Sequence, residues 1–305
     1  MMQRSVFWQV VTGLAGVVLA VWLIPASLAG QGEAEGEGNY TPGKTSWGDP
    51  DLQGIWTTWD ETPVQAPEGP QRPEGEGLGS GMSRIHSSPV SKRRLALVVD
   101  PPTGRIPVIE SRMRRVTARD LQDTWETHSA WQRCTSRGVP GRLLQGGTGG
   151  YNKGYQILQI PGYVVIFMEE IHEMRAIPLD GRPHVGAGLR LWSGDSRGRW
   201  DGNTLVVDTT NFNGKGDGLG GVRQTDAQHI VERFTRVAHE TMRYDVTIED
   251  PNVYTRPWSA MQPHNLDMKY VIFEYACHEG NTRYMENTLR QGRLRDAEEA
   301  AARGR

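Results

Sequence analysis

Between residues 155 and 275, short apolar or alternating stretches follow one another, each ended by turn residues. This rhythm confines most of the chain to antiparallel β structure. Residues 155–160 (YQILQI) stop at Pro161-Gly162, and 163–168 (YVVIFM) run on through 169–177. A turn at 179–183 follows, then 189–192, then the hairpin signal Trp200-Asp201-Gly202-Asn203. Residues 204–212, 229–237, 241–249 and 270–275 alternate or are apolar. Turn-spaced strands of this kind form a mainly β fold, an antiparallel meander closing as a barrel or stacked as a sandwich. Dinucleotide glycine motifs, a P-loop and strand–helix alternation are missing from the sequence, which excludes a doubly wound α/β fold. Residues 110–133 carry no Pro or Gly and space Met113, Val116, Leu121, Trp125 and Trp131 helically, so one helix is expected before the main sheet.

The amino-terminal end sets the compartment. Residues 1–4 are basic, 6–23 are almost wholly apolar, and Pro25 breaks the run ahead of Ser27-Leu28-Ala29. That is the layout of a signal peptide over 1–29, which predicts a periplasmic or secreted protein. An uncleaved anchor is the alternative, because the apolar run approaches the roughly 20 residues of a spanning helix. Residues 30–46, rich in Gly and Glu at their start, read as a flexible tether, 47–289 as one β-rich domain, and 290–305 as a charged tail that is a frayed helix or disordered. Within the domain, 63–82 is crowded with Pro, Gly and Glu and reads as a mobile loop. The formal net charge of -2 gives no electrostatic case for nucleic acid or for membrane contact beyond the signal segment. Two cysteines occur, Cys134 and Cys277. In an oxidising compartment they form one disulfide, the alternatives being two buried thiols or a nucleophile.

A set of motifs spans most of 47–281: WGDPDLQGIW (47–56), LVVDPPTGRIP (97–107), RCTSRGVPG (133–141), YQILQIPGYVVIFMEEIHEMRAIPLDGRPH (155–184), LWSGDSRGRWDGNTLVVDTTNF (191–212), VERFTRV (231–237), IEDPNVYTRPW (248–258) and EYACHEGN (274–281). As a set it resembles an uncharacterised family of exported proteins from soil acidobacteria, sphingomonads and related bacteria. The resemblance implies a β-rich, lipocalin-like barrel and no particular reaction. Two departures, the Pro/Gly/Glu-rich 63–82 loop and Tyr151-Asn152-Lys153-Gly154 in place of a more Asn-rich run, fall on a rim or lid.

Three clusters carry candidate chemistry. The densest is 169–175, where strand alternation sets Glu169, Glu173 and Arg175 on one face and Glu170 and His172 on the other, unless a bulge intervenes. A carboxylate and a histidine held together can transfer protons, so Glu169, Glu170 and His172 are the candidate catalytic groups, with a solvated face and structural ion pair as the plain alternative. The second cluster holds Asp195 and Arg197, flanked by Trp192 and Asn211, and reads as an ion-pair staple or as a rim for a carboxylate, sulfate or sugar hydroxyl. The third is Tyr275, His278 and Glu279 beside Cys277, with Trp258 upstream. Histidines 172, 184 and 278 with nearby carboxylates admit a metal, but no ligand spacing such as His-Glu-x-x-His occurs, and no cofactor is expected.

Two functions compete. One is an exported enzyme with a barrel-mouth pocket, a lyase, isomerase or hydrolase that uses a His/Glu acid–base pair on a small polyhydroxylated or aromatic molecule. The other is a lipocalin-like carrier of a small apolar or glycan ligand, suggested by Gly54-Ile55-Trp56, which resembles the Gly-x-Trp of the first lipocalin strand. Inward-pointing charges in 169–175 favour the enzyme, and an apolar interior favours the carrier. Either way the partner is a small molecule, and the sequence sets no oligomeric state.

Overall fold

The computed structural model describes residues 40–58, 62–67, 96–113, 128–130, 132–145 and 152–304. Its centre is a ten-stranded antiparallel sheet: β1 (Gly54–Thr57), β2 (Val98–Asp100), β3 (Gly154–Ile160), β4 (Tyr163–Met168), β5 (Met174–Pro178), β6 (Asp195–Asp201), β7 (Thr204–Thr210), β8 (His229–Ala238), β9 (Thr241–Glu249) and β10 (Trp258–Leu266). The order is β5-β4-β3-β1-β10-β9-β8-β7-β6, with β2 added against β10. The two terminal strands, β5 and β6, approach one another, so the sheet is a nearly closed barrel. Gly198 on β6 makes that approach possible, since a Cβ there would sit 2.6 Å from Leu179 Cδ2 and 2.8 Å from Ile177 Cγ2.

The alternation seen in the sequence becomes an inside and an outside. Along β8, Ile230, Glu232, Phe234 and Arg236 are buried while their neighbours are half-exposed. Trp56, Tyr155, Phe234 and Tyr244 fill the bore together with aliphatic side chains, and burial of this apolar area is what drives closure. The WGDPDLQGIW motif seals one end. Gln159 at the end of β3 accepts the Leu52 N–H (2.7 Å) and donates to Pro50 O (3.0 Å), while Trp56 Nε1–H donates to Leu52 O (2.9 Å). Arg236 lies over the Trp56 ring and donates to Asp51 O. Residues 132–145 pack at the opposite end, with Val139, Leu143 and Leu144 buried.

Several local expectations are corrected. Of the expected helix over 110–133, residues 114–127 and 131 lie outside the described residues; its start is a single 3-10 turn, Glu110–Arg112, and its end is turns. The long helix instead is α1 (Asn281–Arg303), which takes in most of the expected tail and starts before it. Residues 270–275 are not a strand but an extended segment packed over the end of the β3–β4 hairpin. Residues 40–46 of the expected tether form a turn with 49–51, through Thr45 N–H to Asp49 O and Asp51 N–H to Gly43 O. Residues 63–66 of the expected loop are pinned beside β2, because Pro63 O and Val64 O accept from Leu97 and Val98; 68–82 lie outside the described residues. The signal segment, 1–29, also lies outside them.

Candidate functional site

The 169–175 cluster does not continue the strand. Glu170–His172 form a 3-10 turn between β4 and β5, and Ile171 (φ 62°) and His172 (φ 52°) both adopt left-handed backbone, which is uncommon for residues with side chains. The two-face alternation is thereby lost, and each acidic side chain finds its own environment. Glu169 is fully buried and accepts from Asn152 Nδ2 (2.6 Å), Tyr270 Oη (2.6 Å) and Phe273 N (3.3 Å). It is a clasp for the 267–275 segment. His172 is exposed; its Nε2 accepts the Tyr275 N–H (3.2 Å), and its ring stacks on Phe167. The expected Glu169–His172 pair is therefore not assembled as an acid–base dyad, because the two side chains are spent on different parts of that segment.

Glu170 and Glu173 turn toward the barrel end. Glu170, with a side chain 1% exposed, pairs with Arg137 at 2.7 Å. Glu173 Oε1 accepts from Ser136 Oγ (2.7 Å) and from the Ser193 hydroxyl, and no described residue donates to its Oε2. Burial pushes the Glu173 carboxyl above its ordinary value of 4.5, and the Ser136 hydrogen bond and Arg175 charge pull part of that back. Arg175 is buried in the bore, bidentate to Glu232 (3.1 and 2.6 Å) and bonded to Ser196 (3.1 Å). Its Nε–H is buried with no partner. Tyr244 Oη completes the Glu232 shell at 2.9 Å. Deeper still, burial pushes His264 down to about 3, so it is neutral. Its ring bridges Tyr155 Oη (2.6 Å) and Leu143 O (2.9 Å).

Two cavities meet this end. The inner one, about 20 Å³, is lined by Arg137, Met168, Glu170, Ile171, Glu173 and Arg175, among others, and has room for about one water. The outer one is an open cleft of about 400 Å³, whose lining includes Val139, Leu144, Asp217, Leu219, Gln228 and Tyr254. Both share the wall from Arg137 to Gly141. Because the bore is filled by side chains, the open space lies at this end rather than inside the barrel.

The remaining candidates lie elsewhere. Asp195 accepts from Arg197 (2.7 Å), Val185 N (3.0 Å) and His184 Nδ1 (3.0 Å), and burial notwithstanding, these donors hold its carboxyl low. His184 Nε2 meets Asp208 at 3.0 Å, and Asp208 meets His229 Nε2 at 3.0 Å, which raises His229. Asn211 donates to Val185 O, Gly186 O and Leu189 O. These groups strap the 183–191 segment onto the outer face of the barrel. Trp192 is half-buried beneath Arg133, and Trp258 is a core residue set edge-on to Tyr254. Tyr275 and Glu279 line a separate open cleft with Cys277, and His278 is exposed. Cys134 and Cys277 form a disulfide.

Among the described residues no group of three or more His, Cys, Asp or Glu side chains is placed to hold a metal ion, and no helix is long and apolar enough to cross a membrane. Arg137, Asp217, Gln228 and Tyr254 escaped the sequence reading. Arg137 lay in the RCTSRGVPG motif and Tyr254 in IEDPNVYTRPW, neither with a role, and Glu173 stood in the acidic cluster without a role. Comparison of the chain with protein-family models, with curated proteins and with solved structures finds no match in any of the three.

Proposed function

We propose that this chain is an exported hydrolase of a small molecule, with Glu173 as its general base. The observation that carries this reading is the inner cavity, sized for one water and lined by Glu173, whose Oε2 accepts from no described residue, and by Arg175, whose Nε–H has no partner among the described residues. A carboxylate raised by burial is a stronger base than a solvated one, and it stands where it can take a proton from that water. Glu170, paired with Arg137, places a second carboxyl group at the same cavity. The substrate body would occupy the outer cleft across the shared Arg137–Gly141 wall. The disulfide is compatible with export, which the signal-like first 29 residues favour.

The test is a panel of chromogenic esters, glycosides and anilides offered to the full chain and to Glu173→Gln. Hydrolysis of one class by the parent, falling by about 10²–10⁴-fold in the variant while binding persists, is the expected result. Equal turnover by both proteins overturns the assignment of Glu173, and turnover of nothing by the parent overturns the hydrolase.

A further inference from the structure

We infer that the outer cleft takes an uncharged, hydroxylated small molecule with an apolar face, of the sugar or cyclitol type. The inference rests on the same barrel-end site, and it names what the site holds. The first support is a fixed acceptor. Gln228 is only 4% exposed and lines the cleft, and its Nε2 donates to Val139 O (3.4 Å) and Gln224 Oε1 (3.1 Å). Val139 O can only accept, so the amide nitrogen must face it and the side-chain orientation is not interchangeable. What remains is Oε1, which no described residue bonds and which is not sealed from open space.

The second support is Asp217. One of its oxygens accepts the Ala130 N–H at 2.9 Å, and no described residue donates to the other. The cleft thus presents two acceptors that call for O–H or N–H donors from a ligand, since polar groups enclosed without partners are costly. Charge then separates hydroxyls from ammonium groups. The ionic side chains lining the cleft are Arg137 and Asp217, one of each sign, so a neutral ligand leaves the balance undisturbed while a cation or an anion upsets it. Beside these groups, Val139, Leu144, Leu219 and Ile248 line the same cleft with apolar surface, against which the C–H face of a ring can lie. Tyr254, its hydroxyl anchored to Leu219 O at 2.9 Å, holds that surface in place. At about 400 Å³ the cleft falls in the range of small-ligand sites.

Isothermal titration of the full chain with methyl β-D-glucoside and myo-inositol, beside choline and hexanoate, decides the matter. At least one of the two polyols should bind, and choline and hexanoate should not. Asp217→Asn keeps an acceptor for Ala130 while turning the cleft-facing oxygen into a donor; it should cost tenfold or more in polyol affinity, about what a charged hydrogen bond contributes, without moving the melting temperature. Gln228→Leu should do likewise, and if it unfolds the chain, Asp217→Asn still answers. Binding of choline or hexanoate instead, binding of nothing, or an Asp217→Asn variant with parental affinity overturns the ligand class. Polyol binding without turnover of any substrate, by contrast, leaves this inference standing and removes the hydrolase reading.

Discussion

Glu173 carries a cost that the fold offsets elsewhere. Its carboxyl is raised by burial, so the ionised form is disfavoured in the folded state relative to the unfolded one. The sign follows: the folded protein holds this proton more tightly, and stability linked to Glu173 is full below the ordinary value of 4.5 and is lost as pH rises through the higher folded value. Glu173→Gln removes the charge and can still accept from Ser136 and Ser193. Its melting temperature should match the parent near pH 4, rise above it as pH climbs through the raised folded value, and hold a constant lead beyond it; a gap that is constant across the whole range contradicts the linkage. Where hydrolysis is observed, the acid limb of its pH profile should lie above the ordinary carboxylate range. The Arg175–Glu232 pair behaves oppositely. Both ions are buried and bidentate, so Glu232→Gln or Arg175→Met alone should cost about 3–5 kcal/mol, because each strands its partner. A double-mutant cycle measured by urea unfolding should show the two losses to be far from additive; simple additivity would mean that the pair is not coupled.

At the scale of elements, strands β3, β4 and β7 to β9 stand close to where the alternation and turn residues put them, because each has one buried and one wetter face, whereas β6 occupies a stretch read as a loop and the expected strand at 189–192 is reduced to a single bridge at Leu191. β10 escaped the reading. It has Pro263 in its middle and a nearly continuous buried run, and that proline lies between the stretches that pair with β2 (Ser259, Ala260) and with β1 (Asn265, Leu266). Local pattern does not reveal a strand whose proline is tolerated by a gap in its neighbours. The break at Ile171 and His172 was equally hidden. Two left-handed residues with side chains follow from tertiary fit, and they alone send Glu170 and Glu173 to the barrel end and His172 to the surface. The site was legible as a cluster of residue types, while its roles depended on this one kink and on the distant 133–145 segment. Closure makes its own prediction. Gly198→Ala places a methyl against Ile177 and Leu179, and overpacking of this kind costs about 1–3 kcal/mol. Chemical denaturation should report that loss, and Leu179→Ala in the same chain should recover part of it; a neutral Gly198→Ala would mean that β5 and β6 do not meet so closely.

For the whole molecule, the Cys134–Cys277 disulfide links the segment that builds the cleft wall to the segment clasped by Glu169, 143 residues away in sequence. Closing a loop of that length restricts the unfolded chain by about 5 kcal/mol in the chain-entropy account. A domain of this size loses about 2–4 °C per kcal/mol, so reduction should lower the melting temperature by about 10 °C or more. The position of the bond implies a second, local effect. Arg137 stands three residues from Cys134, and Asn281 at the start of α1 donates to both Gln132 O and Cys134 Sγ. Release of Cys277 therefore loosens the Arg137–Gly141 wall that both cavities share, whereas the bore, packed by β strands, keeps its contacts. Cys134→Ser with Cys277→Ser, assayed well below its own melting temperature, should retain the parental far-ultraviolet circular dichroism but bind the cleft ligand more weakly. Equal ligand affinity in the two proteins would show that the barrel end is held by packing alone and that the disulfide acts only on the unfolded chain.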